Sequence, residues 1–111
     1  DIVGRIRASR AWPSTLIIVT YDENGGFWDH VAPPSGPGWS DRWGPGTRIP
    51  AILISPWVRK GFVDHARYDT GSIHRLLARR FGLEPLPGDR ERSGDLTPAL
   101  DLQAPDPNAA R

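Results

Sequence analysis

Two short apolar runs, separated by a long stretch rich in glycine and proline, most constrain how this 111-residue chain can fold. The first run is Leu16–Val19 and the second is Ile49–Ser55. Both are short and contain β-branched residues, which is typical of strands that are buried on both faces of a sheet. We therefore predict one strand over Thr15–Tyr21 and another over Ile49–Ser55.

The stretch between the two predicted strands, Asn24–Thr47, contains six glycines and four prolines. Such a composition does not sustain regular structure, so we predict a long surface loop. Loops of this length are uncommon inside compact domains and are often functional.

Helices are predicted on both sides of the strands. Residues 1–10 resemble the last turns of a helix whose beginning precedes Asp1, and apolar residues recur at helical spacing over Thr70–Phe81. Thr70 is the predicted N-cap of that second helix, and Gly82 follows its end. The polar face of the helix carries three arginines that we expect to be solvated, namely Arg75, Arg79 and Arg80.

The order of strand, loop, strand and helix predicts the α/β class. Two strands and one full helix provide too little sheet to stand alone, so we expect part of a larger domain. Residues 1–103 are the predicted folded portion, and the polar tail at residues 104–111 is predicted to be disordered.

Charge and composition exclude several classes of function. The net charge of +1 lacks the basic excess of proteins that bind the phosphate backbone, so we expect no nucleic-acid partner. The chain has no cysteine, which excludes disulfides and thiolate metal sites. No apolar stretch approaches the about 20 residues of a membrane-spanning helix.

Acidic side chains follow the first predicted strand directly. Asp22 and Glu23 offer carboxylate oxygens, Asn24 offers an amide, and His30 offers an imidazole a few residues later. Ligands bind beyond the carboxyl ends of strands in α/β sheets, and this donor set suits a divalent metal. The sequence therefore makes Asp22 and Glu23 candidate metal ligands.

Two points weigh against this interpretation. Consecutive strand residues point to opposite faces, so both acids reach one ion only if the chain has already turned at Asp22. Gly25 and Gly26 permit such a turn. Asp-Glu-Asn-Gly-Gly is also typical of a solvated turn with no ligand, because these residues are common turn formers.

The three histidines differ in how well they qualify as functional residues. Asp29 can orient the ring of His30, although a lone histidine beside Trp28 is more often structural. His65 follows the second strand, from which it can approach the same sheet edge, and His74 is predicted to be exposed on the helix.

Several ordered motifs together resemble the bacterial phosphoesterase family of the phospholipases C and related acid phosphatases, in the alkaline phosphatase-like superfamily. The resemblance covers roughly residues 10–102. Its motifs are Thr20–Val31 with Pro33-Pro34, Gly44–Pro50, Ile54–Trp57, Lys60–His65, Tyr68-Asp69 and Arg80–Leu83.

The resemblance implies a C-terminal portion of a catalytic domain with a three-layer α/β/α sandwich, incomplete in this chain. It implies hydrolysis of phosphoesters or phospholipids with a divalent metal ion held by Asp22 and Glu23. It also implies a catalytic His30 near the phosphoryl group, transient contact with a membrane surface, and a secreted or periplasmic location. Arg48 matches a recurrent Arg-aliphatic-Pro element, in which we expect a structural role first.

The family also has an N-terminal Glu-Asn metal motif and a serine or threonine nucleophile, and neither has a counterpart in this sequence. We therefore expect this chain alone to be inactive. In the proposed site, Trp28, Trp39 and Trp43 of the long loop can wall a cleft for an acyl or choline group. The alternative is a non-catalytic α/β module that binds a ligand or lipid headgroup through this aromatic loop.

Overall fold

The computed structural model describes residues 1–36, 42, 44–86 and 93–103. The predicted disordered tail at residues 104–111 lies outside these residues, as do Trp39 and Trp43 of the predicted aromatic wall.

The described residues form two compact units. The strand unit contains Asp1–Glu23, Ile49–Phe62 and the described residues from Ala99 onward. The helix unit contains Asn24–Arg48 and the described residues of Val63–Pro98.

The strand unit begins with helix α1 (Ile2–Arg7), which is shorter than the predicted helix over residues 1–10. Asp1 is its N-cap, and its Oδ1 accepts a hydrogen bond from the Val3 N–H at 3.1 Å. A short 3₁₀ turn, Trp12–Ser14, precedes the first strand. Trp12 is the buried anchor of this turn, with 3% of its surface exposed.

Strands β1 (Ile17–Thr20) and β2 (Ala51–Ile54) lie within the two predicted strands and pair antiparallel. In this register Thr20 lies opposite Ala51, and Ile17 lies opposite Ile54. The Thr20 hydroxyl also donates to the Pro50 carbonyl at 2.8 Å, which fastens the end of β1 to the start of β2.

The prediction that both strands are buried on both faces is wrong for the described residues. Val19 is 42% exposed and its cross-strand partner Ile52 is 58% exposed. A strand is buried on both faces only when elements pack above and below the sheet, and local sequence carries no information on whether these elements are present. The apolar runs therefore identified the strands but not their surroundings.

The antiparallel pairing also removes the reason to expect His65 at the same sheet edge. Because β2 ends beside Ile17, its carboxyl end lies at the opposite end of the strand pair from Thr20. Residues that follow β1 and residues that follow β2 thus leave the pair at different ends.

In the helix unit, helix α2 spans Thr70–Phe81, as predicted, and Gly82 ends it with φ at 63°. The N-cap is Asp69 rather than the predicted Thr70. Asp69 Oδ1 accepts from the Ser72 N–H at 3.0 Å, while Ser72 Oγ accepts from the Asp69 N–H at 3.1 Å. This reciprocal capping box satisfies two backbone groups at once, which favours Asp69 over its neighbour.

The three arginines of α2 are exposed, as predicted, but two of them also bind the segment that follows the helix. Arg75 donates to the Ser93 carbonyl at 2.6 Å, and Arg79 donates to Asp95 Oδ2 at 2.6 Å. The Ser93 hydroxyl also donates to Asp69 Oδ2 at 3.2 Å. These bonds fasten the segment after the helix onto α2, a long-range arrangement that helical periodicity alone does not reveal.

Two helices and a strand pair in this order make the described chain a small α/β fragment. Within the described ranges, no helix has both the length and the apolar character needed to cross a membrane.

Candidate functional site

The acidic loop, defined as Asp22 and Glu23, follows β1 at the end where β2 begins. Strand β1 ends at Thr20, and both acids lie in a bend of the chain. Strand alternation therefore no longer forces the two carboxylates to opposite faces, and the turn that the metal prediction requires is present. Both side chains are exposed, and the Glu23 N–H donates to Asp22 Oδ1 at 3.1 Å.

The acidic loop fits part of a metal shell. Carboxylate oxygens are suitable ligands for hard divalent cations, and exposed carboxylates are accessible to an ion. Among the residues that the structure describes, no group of three or more His, Cys, Asp or Glu side chains is arranged to hold a metal. The donor type therefore fits a divalent ion, while the described part of the chain does not supply a complete shell.

Asn24, the third polar residue after β1, organises a tight turn in the helix unit. Its Oδ1 accepts from the Gly26 N–H at 2.8 Å, and its Nδ2 donates to Thr47 Oγ1 at 2.6 Å. The turn closes through a bond from the Phe27 N–H to the Asn24 carbonyl at 3.0 Å. Gly25 and Gly26 have φ of 62° and 80°, a region that favours glycine. The amide oxygen that was a candidate metal ligand is thus engaged by the turn.

Asp29 lies at the centre of a polar cluster that follows this turn. The Arg48 guanidinium binds it as a fork, with Nε at 2.5 Å from Oδ2 and Nη2 at 3.0 Å from Oδ1. The Val31 N–H also donates to Oδ1, at 3.0 Å. The hydrogen bond from Arg48, with that from Val31, lowers the pKa of Asp29 below its ordinary value of 3.8.

His30 lies beside this carboxylate. Its Nδ1 is 3.1 Å from Asp29 Oδ1, while 88% of its side chain is exposed. Nδ1 is therefore the ring nitrogen close to the carboxylate, and the expectation that Asp29 can orient this ring stays a prediction. Sequence reasoning missed the fork from Arg48, because 19 positions separate it from Asp29 and no local pattern connects them.

Two aromatic side chains adjoin the cluster and are largely exposed, Phe27 at 80% and Trp28 at 85%. Trp28 therefore does not bury His30 in a structural core, which was the competing explanation for this histidine. The exposed rings remain available for contact with an apolar or cationic group.

The other two histidines, His65 and His74, lie outside the Asp29 cluster. His74 is exposed on α2, as predicted, and His65 is also exposed. The neighbour of His65, Asp64, accepts from the Tyr68 hydroxyl at 2.6 Å and from the Ala66 N–H at 2.9 Å. Burial, with the bond to Asp64, raises the pKa of Tyr68 to about 12. This carboxylate is thus part of a local turn.

Similarity to known proteins gives these residues a context. Residues 1–84 match the model of the Phosphoesterase family. The chain is 35% identical to the non-hemolytic phospholipase C of Pseudomonas aeruginosa, over 85% of this chain and 18% of that protein. It is 36% identical to phospholipase C B of Mycobacterium tuberculosis, over 90% of this chain and 23% of that protein. It is 33% identical to non-specific phospholipase C6 of Arabidopsis thaliana, over 75% of this chain and 20% of that protein.

The chain therefore belongs to the phosphoesterase family, and the resemblance drawn from its motifs is confirmed. It spans only 18–23% of the length of these three relatives. The acidic loop and the Asp29 cluster both lie within the residues that match the family.

Proposed function

We propose that this chain contributes part of the active site of a metal-dependent hydrolase of phosphoesters, of the phospholipase C or acid phosphatase type. The observation that carries the proposal is the acidic loop itself. It lies in a bend just beyond β1, with both carboxylates exposed, inside a segment that matches the phosphoesterase family. The names of the relatives support a phospholipid or related phosphoester as substrate.

In this proposal Asp22 and Glu23 hold the divalent ion, with further ligands and the nucleophile supplied outside this chain. When bound, such an ion stabilises charge on the phosphoryl oxygens and activates the attacking oxygen. His30 is the proposed catalytic residue of this chain, where it hydrogen-bonds a phosphoryl oxygen or assists the leaving group. Its exposed ring and its contact with Asp29 suit that role. This chain by itself is proposed to be inactive.

The test is hydrolysis by the full protein that contains this chain. We expect release of p-nitrophenol from p-nitrophenyl phosphate, p-nitrophenyl phosphorylcholine or both, loss of that activity in a chelator, and its return when a divalent metal is added. The relative rates on the two substrates distinguish monoester from diester specificity. Full activity after exhaustive chelation, with no metal in the protein, would contradict the metal-dependent mechanism.

A second candidate function is a non-catalytic module that binds a lipid headgroup. The specific observation in its favour is the exposure of Phe27 and Trp28, since aromatic faces attract quaternary ammonium groups. This function predicts choline or vesicle binding that chelators do not affect, is lost on Trp28→Ala, and is unaccompanied by hydrolysis.

The family resemblance further supports a partial three-layer α/β/α sandwich, transient membrane-surface contact, and a secreted or periplasmic location as proposals. Cell fractionation of the source organism tests the location, and sedimentation with phospholipid vesicles tests the surface contact.

A further inference from the structure

In the Arg48–Asp29–His30 cluster, a two-point ion pair between Arg48 and Asp29 lies beside the exposed His30, the proposed catalytic residue. Both oxygens of Asp29 face the Arg48 fork, so the carboxylate plane is fixed by two points instead of one. The Asp29 side chain is only 15% exposed, whereas the His30 side chain is 88% exposed. The cluster therefore combines a largely buried carboxylate, Asp29, with an accessible imidazole, His30.

The negative charge of Asp29 restricts which nitrogen of the neutral His30 ring carries the proton. Arg48 keeps the Asp29 pKa low, so the carboxylate is ionised and accepts hydrogen bonds without donating any. A neutral imidazole carries one proton, on either Nδ1 or Nε2. The nitrogen that faces Asp29 is Nδ1, at 3.1 Å, and a lone pair on that nitrogen would oppose the negative carboxylate.

We propose that Asp29, fixed by Arg48, is a positioning residue that keeps the proton of neutral His30 on Nδ1. The unprotonated nitrogen is then Nε2. This inference deepens the proposed function and rests on it for the use of the ring, because Nε2 is the atom that meets the phosphoester.

In that role the protonated ring gives its Nε2 proton to the leaving-group oxygen as the P–O bond breaks, and the neutral ring that remains keeps its proton on Nδ1. Its Nε2 lone pair then takes a proton from the water that attacks the phosphoryl group carried by the nucleophile, so the ring regains its starting form. The opposite tautomer would present an N–H at this second step, where an acceptor is needed. A wrong tautomer is enough to impair a histidine base even when its position is intact.

The test reads the tautomer directly and requires neither substrate nor metal. The full protein that contains this chain is labelled with ¹⁵N-histidine, and long-range proton–nitrogen spectra are recorded at a pH where the imidazoles are neutral. His30 is assigned through His30→Gln, and His65 and His74 serve as internal references. The urea-unfolded chain gives the tautomer ratio of an unconstrained histidine.

We expect His30 to be mainly in the Nδ1–H form in the folded protein. In Asp29→Asn, the tautomer ratio of His30 should shift toward that of the unfolded chain. Arg48→Gln should shift the ratio in the same direction, and Arg48→Lys, which keeps the charge but not the fork, should shift it less. Arg59→Gln removes a cation from the strand unit and should leave the ratio unchanged. The proposal would be overturned if the tautomer ratio of His30 in the unsubstituted protein equalled that of the unfolded chain, or if Asp29→Asn did not alter it.

Kinetics of the full protein give a second readout. Loss of a partner that orients a functional histidine typically lowers activity by about 10- to 100-fold. We expect Asp29→Asn to show this loss in kcat, with KM little changed, since the substrate-facing atom remains in place. A change confined to KM would contradict the positioning role. If the full protein hydrolyses no phosphoester, the proposed function fails while the tautomer measurement still decides the role of Asp29.

Discussion

The acidic loop and the Asp29 cluster are organised in different ways, although only six positions separate Glu23 from Asp29. The acidic loop takes its position from the end of β1 and has a local bond between Glu23 and Asp22. The Asp29 cluster is held by Arg48, a residue 19 positions away. The first region presents carboxylates that suit a ligand, whereas the second is built by its own side chains. The comparison teaches that the acidic loop offers exposed carboxylates at the end of a strand, whereas the carboxylate of Asp29 is already bound by a side chain of this chain.

The largest expected effect is on activity, at the acidic loop. Asp22→Asn and Glu23→Gln should each lower hydrolysis by the full protein by at least about 100-fold, because even outer partners of metal ligands cost about 10- to 100-fold. Both side chains are exposed, so the free energy of unfolding should change by less than about 0.5 kcal/mol. Kinetics and urea unfolding measure the two effects.

Glu84→Gln is the matched control for these variants, since it neutralises another exposed acid within the family match. It should leave activity unchanged. An equal loss of activity in Glu84→Gln would mean that general charge, and not the acidic loop, is responsible.

The next effect concerns whether other elements of the full protein cover the exposed face of the strand unit. Ile52 is 58% exposed on β2, so Ile52→Ala should cost less than about 1 kcal/mol in this chain, the range of strand propensity. If the full protein covers this face as a sandwich does, the same change should cost about 2–5 kcal/mol there. Denaturant unfolding of both proteins makes the comparison, and equal costs would contradict the sandwich proposal.

A smaller effect is expected in the turn before the Asp29 cluster. Gly26 has φ at 80°, where a side chain is strained, so Gly26→Ala should lower the free energy of unfolding by about 1–2 kcal/mol. Gly46→Ala is the matched control, because its added methyl meets Asn24 Nδ2 at an ordinary 3.6 Å. Equal effects of the two changes would show that the turn is not preformed.

The smallest effect is a pH dependence of stability. The folded-state pKa of Asp29 lies below its ordinary value of 3.8, so its contribution to stability is present above that value and is lost as the pH falls through the folded-state pKa. Arg48→Gln removes the main cause of the lowered pKa. We expect its destabilisation to be constant near neutral pH and to fade in acid, as measured by urea unfolding at a series of pH values. A destabilisation that grows in acid would contradict the ion pair.

Local patterns predicted much of the secondary structure. The two strands, helix α2 and its terminal Gly82 were foreseen, since apolar periodicity and capping are properties of neighbouring residues. The N-cap was misplaced by one position because Asp69 and Thr70 are both good capping residues, and the reciprocal bond with Ser72 decides between them.

Long-range relations were not predictable in this way. The burial of β1 depends on what packs against the sheet, and the direction of β2 depends on the path of the chain between them. In the candidate site, too, local features were predictable from the sequence and long-range contacts were not. Gly25 and Gly26 indicated a turn that lets both acids leave the strand, and Asp29 was adjacent to His30 in sequence. The bond between Arg48 and Asp29 had no signal short of the folded structure.

The most direct test of the central claim is metal content. The full protein and its Asp22→Asn, Glu23→Gln and Glu84→Gln variants are loaded with divalent metal, freed of excess ion, and analysed for metal bound per chain. The account predicts bound metal in the parent and in Glu84→Gln, with loss of metal and hydrolysis together in Asp22→Asn and Glu23→Gln. Full metal content and full activity in Asp22→Asn and Glu23→Gln would contradict it.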